Sequence, residues 1–274
     1  MDFGLIIIGD ELLSGKRADR HMPRVIDRLA SYGYSLGWVR ILADDGARLQ
    51  RELAQTMAQP DCVLCFGGIG ATPDDCTREA AARAAGVELV RHPEAVGLIE
   101  ARFGAEAYPN RILMADLPAG ALLIPNEFSG IPGFSVARHH FFPGFPVMAW
   151  PMLDQVLAEL LETRRWPLLA ERAVWVEGVP ESALIDLMQA TASEHPSVRV
   201  FSLPHIEEPQ GIELGVRGSE PALSHAFDAL EQTLRARRIG FTVRPPGAGS
   251  AQGHAGGQPL DLESDEINAS NSGC

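Results

Sequence analysis

The sequence predicts an α/β protein: a parallel, doubly wound sheet followed by a small α+β subdomain. Three observations carry this. Residues 3–8 (Phe3-Gly4-Leu5-Ile6-Ile7-Ile8) are apolar without alternation, the pattern of a strand buried on both faces. Helix-spaced segments alternate with such runs through the first half, as a parallel sheet requires. Beyond Trp166-Pro167 the order changes to β-α-β-β-α, a compact α+β unit.

Taken in order, residues 3–8 form the first strand. A helix follows over roughly residues 19–32, with Met22, Val25, Ile26 and Leu29 at helical spacing and Gly33 as its stop. Leu36 to Leu42 forms the second strand, 46–58 a helix, and Asp61 to Phe66 the third strand. That strand runs into Gly67-Gly68-Ile69-Gly70, and a helix over about 75–85 closes at Gly86. Residues 87–150 are less regular, with short strands at 121–124 and 138–142, and a helix follows at 151–163. The second unit has strands at 172–179, 197–203 and 211–217 and helices at 181–194 and 220–237. The expected divisions are 1–168, 169–242 and 243–274. The last is rich in Gly, Ser, Asn and Gln, holds no Lys or Arg beyond Arg244, and is expected to be a disordered tail.

The balance of 36 acidic against 23 basic residues, a formal charge of −13, argues against nucleic acid as the main partner, since phosphate backbones need clustered Lys and Arg. No run approaches the roughly 20 apolar residues of a membrane span, and the first residues lack the features of a secretory signal. Four cysteines do not make a disulfide framework, so a reducing cytoplasm is expected.

The strongest chemical signal is Gly67-Gly68-Ile69-Gly70-Ala71-Thr72-Pro73-Asp74-Asp75, placed between a buried strand and a helix. Glycines allow close backbone approach and point successive N–H groups at an anion. Thr72 suits an N-cap, Pro73 the first helical position and Asp75 the third, so a helix N-terminus would face a phosphate. A tight turn with ordinary capping would use the same residues. The second signal is Gly9-Asp10-Glu11-Leu12-Leu13-Ser14-Gly15-Lys16, after the first strand. It is not a P-loop: five residues separate Gly9 and Gly15, and Arg17 stands where Ser or Thr would bind magnesium. Asp44-Asp45 follow the second strand. Asp10, Asp44 and Asp75 would then converge on one sheet edge as hard oxygen ligands suited to Mg²⁺ shared with substrate phosphates, although Asp10 and Asp44-Asp45 also serve as ordinary helix or turn caps. Cys62 and Cys65 point to opposite faces of a strand, as do His139 and His140, so neither pair reads as a metal site.

Gly9-Asp10-Glu11-Leu12-Leu13-Ser14-Gly15 with Asp19 resembles the opening of the MoaB/Mog-type molybdopterin-binding family, in the branch formed by the N-terminal part of CinA. The glycine loop with Thr72-Pro73-Asp74-Asp75-Cys76-Thr77-Arg78-Glu79-Ala80 is similar to that family's second signature. Ile124-Pro125-Asn126, Pro132-Gly133-Phe134, Pro143-Gly144-Phe145-Pro146 and Gly178-Val179-Pro180-Glu181-Ser182 are similar to the CinA branch. The resemblance covers about residues 1–242. It implies a three-layer α/β/α domain binding molybdopterin or a related phosphorylated pterin or nucleotide. Gly9, Asp10, Glu11, Ser14, Gly15, Gly67, Gly68, Gly70, Thr72 and Asp74 would contact the ligand. Asp44 and Asp75 would be catalytic, and Asp10, Asp44 and Asp75 would hold a divalent metal such as Mg²⁺. It further implies a homo-oligomer in molybdenum cofactor metabolism. The alternatives are a metal-dependent ADP-ribose or dinucleotide pyrophosphatase, or an inactive regulatory relative. His21 stands where the CinA pattern has Asn, and Val147-Met148 replace an acid after the Pro-Gly-Phe-Pro turn. No counterpart of CinA's amidase domain is expected in this chain.

Overall fold

Apolar runs without alternation occupy the middle of a six-stranded sheet. The computed structural model describes residues 2–163, 168–207 and 209–245, and the chain divides into two units after Leu169. In order, the first unit holds β1 (Phe3–Ile8), a single turn α1 (Asp10–Leu13), α2 (His21–Ser31), β2 (Leu36–Leu42), α3 (Gly46–Met57), β3 (Cys62–Phe66) and α4 (Thr77–Ala85). Then come β4 (Leu89–Arg91), α5 (Pro93–Phe103), β5 (Asp116–Pro118), β6 (Leu122–Ile124), β7 (Gly133–Val136), β8 (His139–Phe142) and α6 (Pro146–Thr163).

The sheet order is β2-β1-β3-β8-β7-β6. The pairs β1–β2, β1–β3 and β3–β8 are parallel, and β7 and β6 extend the sheet antiparallel. All six residues of β1 and all five of β3 are buried, because helices cover both faces. One face packs Ile6, Val63, Cys65 and Phe141 against Leu49 and Leu53 of α3, Ala81 of α4 and Ile99 of α5. The other packs Leu5, Ile7, Leu64 and Phe142 against Val25 and Leu29 of α2 and Leu153 and Leu157 of α6. This is the three-layer α/β/α arrangement. Cys62 and Cys65 fall on opposite faces, as the strand period demands.

The details differ from the sequence reading in four places. The buried stripe of α2 is His21, Val25 and Leu29, while Met22 and Ile26 are exposed. A histidine ring stacked on Phe66, with centroids 4.4 Å apart, takes the place expected of an aliphatic residue. The helix expected from 75 begins at Thr77, and residues 72–76 form turns instead. The helix expected from 151 begins at Pro146 and carries Pro151 inside it, giving up one backbone hydrogen bond. The irregular stretch contains α5 and a separate two-stranded sheet of β4 and β5.

The second unit runs β9 (Ala170–Val176), α7 (Ile185–Glu194), β10 (Arg199–His205), β11 (Gly211–Gly218), α8 (Ala222–Ala236) and β12 (Phe241–Val243). Its sheet order is β10-β11-β9-β12, antiparallel throughout, a split βαββαβ arrangement. Val174, Val176, Leu214 and Val216 pack on Phe227 and Leu230 of α8. β12 was not anticipated; it occupies the end of the expected subdomain and the first position of the expected tail. From 246 onward that tail lies outside the described residues. Among the described residues no helix is long and apolar enough to cross a membrane.

Candidate functional site

Because β1, β2, β3 and β8 are parallel, the segments that follow them meet at one edge of the sheet. Strand order reverses at β1, which has β2 on one side and β3 on the other. Ligands of open α/β sheets occupy the crevice beyond the carboxyl ends at such a switch. A cavity of about 470 Å³ opens there, lined by Gly9, Glu11 and Arg17 after β1, Asp44 after β2, residues 67–72, Asp74 and Asp75 after β3, and Pro143, Gly144 and Phe145 after β8. Asn126, Ser129, Met114 and Met148 complete its wall.

The glycine turn is built by the protein's own packing. Gly67 has φ +105° and Gly68 φ +67°, and a Cβ on Gly67 would lie 2.2 Å from the Ile8 carbonyl oxygen. The Gly67 N–H donates to Phe142 O at 3.0 Å, and the buried Thr77 hydroxyl donates to Gly67 O at 3.1 Å. The Thr77 N–H donates to Gly68 O at 3.0 Å. Arg78, itself buried, donates from its guanidinium to Gly70 O at 2.7 Å and to the carbonyls of Leu113 and Asp116, tying the loop to the segment before β5. Its two terminal nitrogens serve carbonyls while the buried Nε has no partner among the described residues, and burial lowers its pKa, partly offset by Asp116 and Asp75. These bonds occupy the carbonyls of Gly67, Gly68 and Gly70. The amides of Gly68, Ile69, Gly70 and Ala71 find no acceptor among the described residues. A run of unpaired donors at a cavity wall is an anion-binding feature.

The expected capping pattern forms only in part. The Thr72 N–H donates to Asp75 Oδ2 at 2.9 Å and its hydroxyl donates to the same oxygen, while the Asp75 N–H donates to Thr72 O at 3.0 Å. The pair closes a turn, and the helix starts two residues beyond Asp75.

Asp10 and Asp44 cap one another. The Asp10 N–H donates to Asp44 Oδ2 at 2.9 Å, and the Asp44 N–H donates to Asp10 Oδ1 at 3.3 Å. This latch joins the segments after β1 and β2. Burial raises the Asp44 pKa, the Asp10 amide bond opposes this, and the carboxylates of Asp10, Glu11 and Asp74 add to the rise. Among the described residues no three His, Cys, Asp or Glu side chains gather to hold a metal ion; Asp10, Asp44 and Asp75 share the sheet edge but each already accepts from protein donors. If the latch needs only an acceptor, Asp10→Asn should leave the thermal midpoint unchanged, whereas Asp10→Ala should cost about 1 kcal/mol by stranding the Asp44 amide. Thermal denaturation of both variants checks this; equal losses would mean that the charge is required.

The remaining expected residues separate into two groups. Gly9, Glu11, Gly67, Gly68, Gly70, Thr72 and Asp74 line the cavity. Ser14 and Gly15 do not: they finish α1, donating to Asp10 O and Leu12 O, and are exposed. The sequence reading missed Arg17, Asn126, Ser129, Phe145 and Met148. The Ile-Pro-Asn and Pro-Gly-Phe-Pro motifs contain two of these, Asn126 and Phe145, but only the strand order brings them to the glycine loop. His139 and His140 diverge, to Thr56 and Ser135 respectively.

A model of the family described as "Probable molybdopterin binding domain" matches residues 4–163, the unit that carries this cavity. The chain belongs to that family. CinA-like proteins are among its relatives. A CinA-like protein of Citrifermentans bemidjiense is 34% identical over 245 residues, 86% of this chain and 59% of that one. A protein of Pyrobaculum calidifontis is 28% identical over 242 residues, 84% of this chain and 92% of that one. The crystal structure of CinA from Thermoplasma acidophilum, whose function is given as unknown, matches with TM-score 0.54 at 24% identity. It covers 58% of this chain and 99% of that one, and shows the shared fold. The chain spans about 59% of the length of its CinA-like relative.

Proposed function

We propose that this molybdopterin-binding-type domain holds a phosphorylated pterin of the molybdopterin class in the cavity between β1 and β3, with a phosphate received by the glycine turn. The observation that carries the reading is the run of four unpaired amides at residues 68–71 on the wall of that cavity. Family membership favours a pterin-type ligand. The rest of the lining suits a flat heteroaromatic ring: Met114, Met148 and Phe145 are apolar, and Asn126 is held in place by donating to Ser129 Oγ at 2.7 Å and Ile131 O at 3.0 Å. Asp10 and Asp44 are hard oxygen donors, and Mg²⁺ is commonly held by one or two carboxylates together with substrate phosphates; a cation here would neutralise phosphoryl charge and would be completed by the ligand. The pyrophosphatase alternative would place a diphosphate against the same carboxylates; family membership favours pterin binding over it.

The test is pterin fluorescence in protein purified from a host that makes molybdopterin. Wild-type protein is expected to carry it. Asp75→Ala, which releases Thr72 and with it the end of the turn, is expected to weaken retention about tenfold, roughly 1.4 kcal/mol. A folded wild-type protein that neither carries a pterin nor binds an added oxidised pterin phosphate would overturn the reading.

A further inference from the structure

The glycine-turn cavity has an unusual charge inventory for an anion site. Glu11, Asp44, Asp74 and Asp75 line it, and Arg17 is its one cationic lining residue. Amide dipoles contribute fractional charges, so a phosphoryl group entering among four carboxylates needs a full positive charge to offset them. The neighbouring arginines are committed elsewhere. Arg78 serves three backbone carbonyls, Arg24 and Arg28 pair with Asp154, and Arg20 lies over the Trp150 ring at 5.5 Å. Arg17 is exposed, and its guanidinium has no hydrogen-bond or ion-pair partner among the described residues. Its backbone is nonetheless placed, its N–H donating to Glu11 O at 3.1 Å. Arg17 also lines a second cavity of about 400 Å³ that shares Ile8, Glu11, Gly144 and Phe145 with the first.

We propose that Arg17 is the anion-recognition residue of this site, its guanidinium receiving a phosphoryl or diphosphoryl group where the two cavities adjoin. This rests on the reading that the glycine-turn cavity takes a phosphorylated ligand, and adds which side chain reads the charge. The planar fork of arginine matches two phosphoryl oxygens at once, which a lysine ammonium does not.

The test is calorimetric titration of the full chain with inorganic pyrophosphate, with and without Mg²⁺, at two salt concentrations. Arg17→Met is expected to weaken binding at least tenfold and to flatten its salt dependence, because the screened charge pair is gone. Arg17→Lys is expected to recover part of the affinity but not all of it. The melting temperature should be unchanged in both variants, since the Arg17 guanidinium has no hydrogen-bond or ion-pair partner among the described residues. Wild-type affinity and salt dependence in Arg17→Met would overturn the role of Arg17 and leave the cavity's phosphate reading standing. A wild-type protein that binds no pyrophosphate in either condition would overturn both.

Discussion

Replacing Gly67 by alanine is expected to destabilise the first unit by about 4 kcal/mol. A side chain in the left-handed region costs about 1–2 kcal/mol by itself, and at Gly67 (φ +105°) the new Cβ would sit 2.2 Å from the Ile8 carbonyl oxygen. That obstacle is backbone, not a side chain able to swing away. Ile8 ends the strand with all its residues buried, so relief requires β1 and β3 to separate at the ends that form the cavity. The Thr77 and Phe142 bonds to Gly67 would be stretched in the same movement. The total belongs to the small set of large effects with a named backbone cause. Urea denaturation with hydrogen exchange of peptides from β1 and β3 checks it; a loss under 1 kcal/mol would show that the turn can relax. Gly68→Ala provides a graded comparison, because its Cβ would meet the Thr77 hydroxyl at 2.3 Å, which a rotamer change relieves in part.

The second large effect is a loss of stability in mild acid, traced to His139. The ring is fully buried in β8. Its Nδ1–H donates to Ala137 O at 2.9 Å, which leaves Nε2 to accept from the Thr56 hydroxyl at 2.8 Å. Burial lowers its pKa from the ordinary 6.5 to about 4; the Ala137 bond and Asp61 oppose this and Arg138 adds to it. The unfolded chain therefore takes up a proton at higher pH than the folded one. The stabilisation is complete above pH 6.5, is lost as the pH falls from 6.5 towards 4, and loses nothing further below. A difference of about 2.5 pKa units amounts to roughly 3 kcal/mol. His21, also lowered mainly by burial, adds in the same direction, so the wild type minus His139→Gln difference isolates the β8 ring. Denaturation midpoints at several pH values in that window should fall steeply for wild type and less for the variant. Parallel slopes would place the acid sensitivity elsewhere.

The core of the first unit was legible because burial on both faces leaves a plain trace: uninterrupted apolar runs at 3–8 and 62–66 can only be central strands. What misled was local chemistry overridden by tertiary contacts. Thr72-Pro73-Asp74-Asp75 carries every sign of a helix start, yet Thr77 is drawn back by the carbonyls of Gly67 and Gly68, and the helix waits for it. Met22 and Ile26 share a helical spacing with Val25 and Leu29, but stacking on Phe66 turns His21 inward instead. At the site, glycines and aspartates announced themselves by type and spacing. Arg17 did not, since an exposed arginine in a short connecting segment is indistinguishable in sequence from any solvated one. Asn126 and Phe145 needed the order β3-β8 to be known before they could be assigned to the same cavity as residue 67.

That same adjacency of β3 and β8 bears on how the chain assembles. The two strands are neighbours in space, but residues 67–138 intervene, including a complete hairpin, a small sheet and two helices. Closing so long an excursion carries a loop-entropy cost before any ladder bond is gained, although that cost grows only slowly with length. High contact order of this kind slows folding. Formation of β1, β2 and β3 rests on nearer partners, so the Phe142 carbonyl that holds the Gly67 amide arrives with the later pairing. The glycine turn therefore reaches its binding shape only when this distant pairing is complete, and a chain halted short of it would have β1, β2 and β3 joined and no receptor.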